Sequence, residues 1–588
     1  MKRVKRFYIL LTVIIGLIFL LIGRLAQIQL ISTESFSKEK VNLIEASVKQ
    51  RTQEMTIDDG RGKFISRNGY PLTYETNNRL VLFPFLQKME WPVKQVAEII
   101  GIPSFELINQ LGNKNKPVVI EKELTSAQMK RINDLKYPGI FAVPLQQKDS
   151  LPLAYHLIGV VRQNEKLIEQ KYEDSLKKGE LSLHTPIGIT GLQSSFDEFL
   201  LPEQESKLLY HVDRFGGPLF GIDVKYTGTA NPFYPVNIET TIDEEIQKTA
   251  EAVAEKYAMK EGGVVVLDIE TNELLALVSK PDINDSNPYD DNRGIQNRML
   301  TPQVPGSIFK TVVAAAAIEE RANIYNRLFD CDLNIYKKEL KEDAKMGSLT
   351  FEESFARSCN YTFGQIANEI TASNSDLLDI YADRLGLTDL VGWSGDVFHF
   401  DHFRQLKEEK QGTVWQTKSS RRHWKEVSQT AIGQKDVRVT PLAVANMMAT
   451  IARGGERYTV KAVNQIQYKN GASLYQFKQQ KVKEEEIEPY TAVQLQKLLR
   501  QVVTHEEGTG RRFQTLPYEV AGKSGTAELG TEKNLVNKWF AGYFPASQPK
   551  YALVVVDLST TSSKSVTNSM YYDMVQALYE IDQERKNR

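Results

Sequence analysis

Pro305-Gly306-Ser307-Ile308-Phe309-Lys310-Thr311-Val312-Val313 runs directly into four alanines at 314–317. Pro-Gly interrupts regular structure, and the apolar run behind it predicts a helix with Ser307 at its N-terminus. There the helix dipole and free N–H groups favour a developing oxyanion. Lys310 lies one turn on, on the same face, within reach of the Ser307 hydroxyl. Upstream, Gly263 to Asp268 and Leu274 to Ser279 are β-rich runs around Glu270-Thr271-Asn272, a hairpin signal. Before them, Thr241 and Glu244 predict a capping box, and Ile246, Ala250, Val253, Ala254 and Tyr257 share one helical face. Downstream, Trp539 to Phe544, Tyr551 to Leu558 and a helix from about Ser565 mirror this arrangement, with mainly helical sequence between. Strands at both ends of a helical stretch predict an α+β domain built on one antiparallel sheet, completed late by the C-terminal hairpin.

Ser-x-x-Lys alone is a weak signal, since it also occurs at Ser35, Ser37, Ser175 and Ser547. The break before Ser307 and the apolar helix after it set that copy apart. A serine hydroxyl needs a base, and no Ser/His/Asp set is evident. A lysine can serve if it is neutral, and burial and a second cation both depress a lysine pKa. Lys523, in Lys523-Ser524-Gly525-Thr526, is the natural second cation, and the small residues after it would let a strand edge pair with a peptide-like substrate. Between them, Ser358-Cys359-Asn360 could supply a hydroxyl relay and an amide. The same pattern at Ser66-Arg67-Asn68 sits in an upstream turn. Cys359 is expected to be a small buried filler, although a disulfide with Cys331 is open to an exported chain.

Composition excludes more than it selects. The chain has 588 residues, 73 Lys+Arg against 74 Asp+Glu, two cysteines and seven histidines. That length predicts two or three folded units. A formal net charge of −1 argues against nucleic-acid binding. No metal site is expected from so few Cys and scattered His. Lys2, Arg3, Lys5 and Arg6 precede an uncharged run from Phe7 to Gly23, which predicts an uncleaved single-pass anchor with a cytoplasmic N-terminus and everything after it exported. Arg24-Leu25-Ala26 lacks the small residues that signal-peptide cleavage wants. Val391 to Ser428 is expected to be loop-rich, Arg421 to Trp424 a solvated loop, and Lys481 to Glu488 a solvated face.

The three motifs in this order are those of penicillin-binding proteins and class A β-lactamases. The chain resembles the class B penicillin-binding proteins, the monofunctional peptidoglycan D,D-transpeptidases, over nearly its whole length. Gly23-Arg24-Leu25, Arg67-Asn68-Gly69, His156-Leu157-Ile158-Gly159 and Gly188-Ile189-Thr190-Gly191-Leu192 resemble the N-terminal pedestal of that family. Gly433-Gln434, Thr440-Pro441-Leu442, Ala521-Gly522 and Trp539-Phe540-Ala541-Gly542-Tyr543 resemble its transpeptidase domain. The resemblance implies a cytoplasmic tail at 1–6, an anchor at 7–30, a dimerisation-like pedestal at 31–236 and a serine β-lactamase-like transpeptidase domain at 237–588.

It also implies roles: Ser307 the acylated nucleophile, Lys310 its base, Ser358 a proton relay, Asn360 a holder of the substrate amide, and Lys523 a cation that tunes the site and binds the substrate carboxylate side. Ser524, Gly525 and Thr526 would form the substrate-binding edge, with Ser524 and Thr526 on the substrate carboxylate. The N–H groups of Ser307 and Thr526 would form the oxyanion hole. Implied ligands are peptidoglycan stem peptides and β-lactams, with no cofactor, and a membrane glycan polymerase of the SEDS type is an implied partner. Gln193 and Ser66 stand where the family usually has Glu and Asp, and Lys435-Asp436 where small residues are usual. The alternatives are a D,D-carboxypeptidase or β-lactamase, or a non-catalytic β-lactam-binding scaffold.

Overall fold

The computed structural model describes the chain apart from residues 1, 32, 34–41, 44–51, 113, 115, 148–151, 203–204, 212–224, 228–230, 232, 285–286, 288–293, 484, 531–533 and 562–564. Ser35 and Ser37 lie outside the described residues. The chain divides into two compact units, neither continuous in sequence. One comprises Met1–Arg61, Glu75–Gln147 and Pro202–Asn231; the other comprises Gly62–Tyr74, Lys148–Leu201 and Pro232–Arg588. Residues 62–74 and 148–201, grouped with the pedestal by resemblance, therefore pack in the same compact unit as the C-terminal residues.

The first unit begins with the helix Lys2–Ala26. Val4–Leu30, 27 residues, is long and apolar enough to cross a membrane. A three-stranded antiparallel sheet follows, in the order Val118–Ile120, Glu75–Leu82, Ile140–Gln147, with Leu80 opposite both Ile120 and Ala142. Helices Val93–Ile100, Ser104–Leu111 and Ser126–Asp134 accompany it. Phe83 and Tyr210 meet edge-on in this unit's core, ring centroids 4.3 Å apart.

The second unit is organised by a five-stranded antiparallel sheet in the order Leu274–Lys280, Gly262–Asp268, Tyr551–Thr560, Val536–Phe544, Ala521–Glu528. The early hairpin and the late strands thus combine as the sequence predicts. Alternation along the strands splits their side chains between two cores. Val264, Val266, Leu553 and Val555 pack with Ile246 and Ala250 of helix Glu244–Lys256 and with Met570 and Met574 of helix Thr567–Asn587. Val265, Leu267, Val554 and Val556 turn the other way, into a core shared with helices Lys310–Glu319, Pro441–Ala452 and Pro489–Thr504. A second sheet places Lys63–Ile65 parallel to Asn237–Thr240, Phe64 opposite Ile238, with Val463–Gln467 on the far side.

Three local expectations need correction. Helix Glu244–Lys256 is capped by Asp243, which accepts the Ile246 N–H; the Thr241 hydroxyl instead donates to the Leu274 carbonyl, 2.7 Å away. A carboxylate two residues closer to the helix outcompetes the threonine for its free N–H groups. The 391–428 stretch contains a hairpin, Ser394–Val397 with Phe400–Arg404, and the helix Trp424–Ala431. In the 421–424 stretch Arg422, His423 and Trp424 are exposed as expected, while Arg421 is partly buried in the 3₁₀ turn Lys418–Arg422 and bridges Asp376 and Asp379 at 2.7 and 3.0 Å. The 481–488 stretch is largely exposed, as expected, with surface pairs from Lys481 to Glu456 and from Glu485 to Arg384. These partners lie far away in sequence, where local charge pattern carries no information.

Candidate active site

Ser307 sits in the short 3₁₀ turn Gly306–Phe309, which leads directly into the buried helix Lys310–Glu319. Gly306 has φ +57°, and a Cβ added there would lie 2.2 Å from the Thr526 carbonyl oxygen. Its N–H donates to the Gly433 carbonyl at 3.0 Å. The serine turn is therefore wedged between the Gly433 loop and the strand Ala521–Glu528. Trp539 tightens the wedge, donating its indole N–H to the Val304 carbonyl at 3.0 Å.

That strand is the edge of the sheet. Lys523 faces Ala541 and Thr526 faces Lys538 on one side, and the other side has no strand partner among the described residues. An unpaired edge is where an extended peptide can add by main-chain hydrogen bonds.

Ser358 terminates the helix Phe351–Arg357 in the left-handed conformation, φ 65° and ψ 41°. A non-glycine residue there is held against its preference by its surroundings. Lys310 Nζ donates to the Ser358 carbonyl at 2.7 Å, to Ser358 Oγ at 3.1 Å and to Asn360 Oδ1 at 2.7 Å. Lys523 Nζ donates to the same Ser358 Oγ at 3.0 Å and to the Ser524 carbonyl at 3.1 Å. The structure thus brings Lys310, Ser358, Asn360 and Lys523 into one hydrogen-bonded cluster. The three Lys310 bonds go to the second motif and none to Ser307.

Both lysines are fully buried, with no carboxylate among the partners described for either. Burial, reinforced by the Lys523 charge, holds the Lys310 amine well below its ordinary range, and burial lowers Lys523 to about 7. Removing a cation from water disfavours its charged form, and a neighbouring like charge adds to that. Phe363 and Phe355 cover the two ammonium groups at 5.4 and 5.7 Å from the ring centroids. A neutral Lys310 keeps two N–H donors and one lone pair, so in that state the Ser358 hydroxyl donates to the amine, and Ser358 Oγ joins Lys310 to Lys523. This is the wiring a proton shuttle requires.

Two features were not found from the sequence, and a third was left open by it. Thr509 accepts a hydrogen bond from Ser524 Oγ at 2.8 Å, and its own N–H donates to the Ala356 carbonyl. Its setting, Gly508-Thr509-Gly510, was a usable turn signal. Lys538 reaches Thr526 Oγ1 at 3.0 Å, a contact set only by strand register. Cys359 is not a filler thiol: it forms a disulfide with Cys331, 28 residues away. The bond ties the middle of the second motif to the segment that follows Phe329–Asp330. Closing a loop of that length stabilises a fold by about 2–4 kcal/mol. A Cys331→Ser/Cys359→Ala double variant should unfold at a Tm several degrees lower, and dithiothreitol should lower the parent Tm while leaving the variant unmoved.

With this geometry in hand, comparison with known proteins is decisive. The family described as Penicillin binding protein transpeptidase domain matches residues 262–576, more than half the chain. The chain belongs to that family. The Penicillin-binding Protein dimerisation domain matches residues 56–224, and the two together make this a class B penicillin-binding protein. It is similar to Peptidoglycan D,D-transpeptidase FtsI of Escherichia coli K12, 24% identical over 92% of this chain and 85% of the relative. It is also similar to Peptidoglycan D,D-transpeptidase MrdA of Acinetobacter baumannii, 23% identical over 94% and 85%. Stage V sporulation protein D of Bacillus subtilis is 24% identical over 86% and 75%. Among solved structures, a chain from "Structural coordination of polymerization and crosslinking by a peptidoglycan synthase complex" shares the fold, with a TM-score of 0.65, 22% identity and 98% coverage of both chains.

Proposed function

We propose that this penicillin-binding protein cross-links peptidoglycan stem peptides through a Ser307 acyl-enzyme, and that β-lactams acylate the same serine. The observation that carries this reading is the buried pair Lys310 and Lys523, joined through Ser358 Oγ beside the serine turn. Ser307 Oγ attacks the carbonyl of the D-Ala–D-Ala amide as its proton passes to neutral Lys310. The Ser307 and Thr526 N–H groups hold the oxyanion. The amide C–N bond breaks, D-alanine leaves with a proton relayed through the Ser358 hydroxyl, and an ester to Ser307 remains. An amine of a neighbouring stem then attacks the ester, forming the cross-link and returning the proton to Ser307. Asn360 holds the substrate amide, and Ser524 and Thr526 hold its terminal carboxylate beside Gly525.

The apolar helix at the N-terminus serves as a single-pass anchor, with its basic end cytoplasmic and the catalytic unit on the outer face. The Cys331–Cys359 disulfide suits that oxidising side. A membrane glycan polymerase of the SEDS type is the proposed partner. The structural neighbour supports this reading, since it comes from a peptidoglycan synthase complex that coordinates polymerisation with cross-linking.

Intact mass spectrometry after treatment with penicillin tests the chemistry. A single adduct persisting for minutes on the parent and absent from Ser307→Ala is expected. Rapid turnover to penicilloate would favour a β-lactamase, and an adduct on Ser307→Ala would remove Ser307 from its role.

A further inference from the structure

Lys538 is a cation whose environment asks for an anion. It lies on the strand Val536–Phe544 directly opposite Thr526, so the two side chains share one face of the sheet with Ser524. Lys538 is half-buried, and burial of the amine is the one influence shifting its pKa downward, with no charge offsetting it. Among the described residues no carboxylate lies within ion-pair distance of it; its ammonium donates to Thr526 Oγ1 at 3.0 Å. A lysine ammonium can only donate, so Thr526 Oγ must accept, which leaves the threonine O–H free to donate elsewhere. Among the described residues that O–H has no acceptor. Lys523, by contrast, directs its charge inward, to Ser358 Oγ and the Ser524 carbonyl. The outer face of the edge strand therefore carries a hydroxyl poised to donate, backed by an uncompensated positive charge.

We propose that Lys538 is a specificity-determining residue that, through Thr526, selects donor peptides and β-lactams bearing a free terminal carboxylate. This rests on the reading above that Ser524 and Thr526 hold that carboxylate at the Ser307 site. The ammonium polarises the Thr526 O–H and adds a positive potential where the carboxylate sits. Hydrogen bonds to charged groups are the strong class, and losing one such contribution is worth about a factor of ten in binding.

The test measures second-order acylation of full-length protein by a thioester stem-peptide analogue ending in a carboxylate, beside the same analogue ending in a carboxamide, for the parent, K538Q and K538R. Mass spectrometry follows the Ser307 adduct. For the carboxylate analogue, K538Q should fall about tenfold through weaker binding, and K538R should recover most of the loss. With the carboxamide, the ratio of parent to K538Q should shrink towards one. Gln keeps a donor to Thr526 but not the charge, so a K538Q rate equal to the parent's would overturn the proposal, leaving Lys538 a spacer for Thr526. Equal losses on both analogues would overturn it too, as would failure of K538R to recover. A parent that is acylated at a residue other than Ser307 would instead sink the underlying assignment of the site.

Discussion

Lys310→Met is expected to abolish acylation almost completely while leaving a protein at least as stable as the parent. Removing the proposed general base should cost about 10³-fold in the acylation rate, the middle of what positioned proton transfer contributes. The stability side follows from burial. Lys310 is fully enclosed, and the folded protein holds its amine well below the 10.5 of an ordinary lysine. Between the lowered folded value and 10.5, the unfolded chain binds a proton that the folded chain does not, so stability climbs with pH through that window. Methionine has similar length and no charge to desolvate, so the variant should lose this climb and gain stability below it. Denaturant unfolding of parent and variant at several pH values checks the gain, and stopped-flow acylation checks the loss. In the parent, acylation should fall as pH is lowered through the folded Lys310 value, because protonation removes the base. A variant that acylates at the parent rate would exclude Lys310 as base.

Gly306→Ala is the second substitution with a large expected effect, and it acts on geometry alone. The residue adopts φ +57°, which costs alanine roughly 1 kcal/mol. The new Cβ would sit 2.2 Å from the Thr526 carbonyl oxygen, a backbone atom that no rotamer change can move aside. Either the serine turn lifts or the edge strand retreats. Both separate Ser307 from the strand that is to hold the substrate, and a displacement of about 1 Å costs on the order of 10²-fold in rate. We expect a Tm lower by several degrees and at least that loss in acylation. Unchanged kinetics would mean the wedge is not needed for chemistry.

The central sheet was legible because its strands are apolar on both faces and lie in two compact clusters, Gly263 to Ser279 and Trp539 to Leu558. The motif lysines were legible because each sits in a recognisable local frame. Their arrangement was not. That Lys310 spends its hydrogen bonds on Ser358 and Asn360 depends on Ser358 adopting a left-handed conformation, which no local rule asks of a serine. Lys538 escaped notice because it reads as one polar residue in an apolar strand, and only the register with Thr526 gives it meaning. At Ser66 the departure from the family pattern is harmless. Its hydroxyl accepts the N–H groups of Asn68 and Tyr70, as a carboxylate would, so the turn keeps its cap.

The chain passes between its two compact units five times. The C-terminal unit is therefore not a cassette that begins where the sequence motifs begin. Its second sheet takes its outermost strand, Lys63–Ile65, from a segment that precedes much of the other unit. Beyond its N-terminal segment, the other unit consists of two excursions, 75–147 and 202–231, from the unit that holds Ser307. A recombination event that replaces residues 237–588 with those of a relative would bring in a foreign partner for residues 62–74 and 148–201, with Phe64 and Ile238 now drawn from different ancestors. Crossovers that preserve function should then fall before residue 62, or in pairs that bound one excursion, 75–147 or 202–231, so that the early segments travel with the strands they complete.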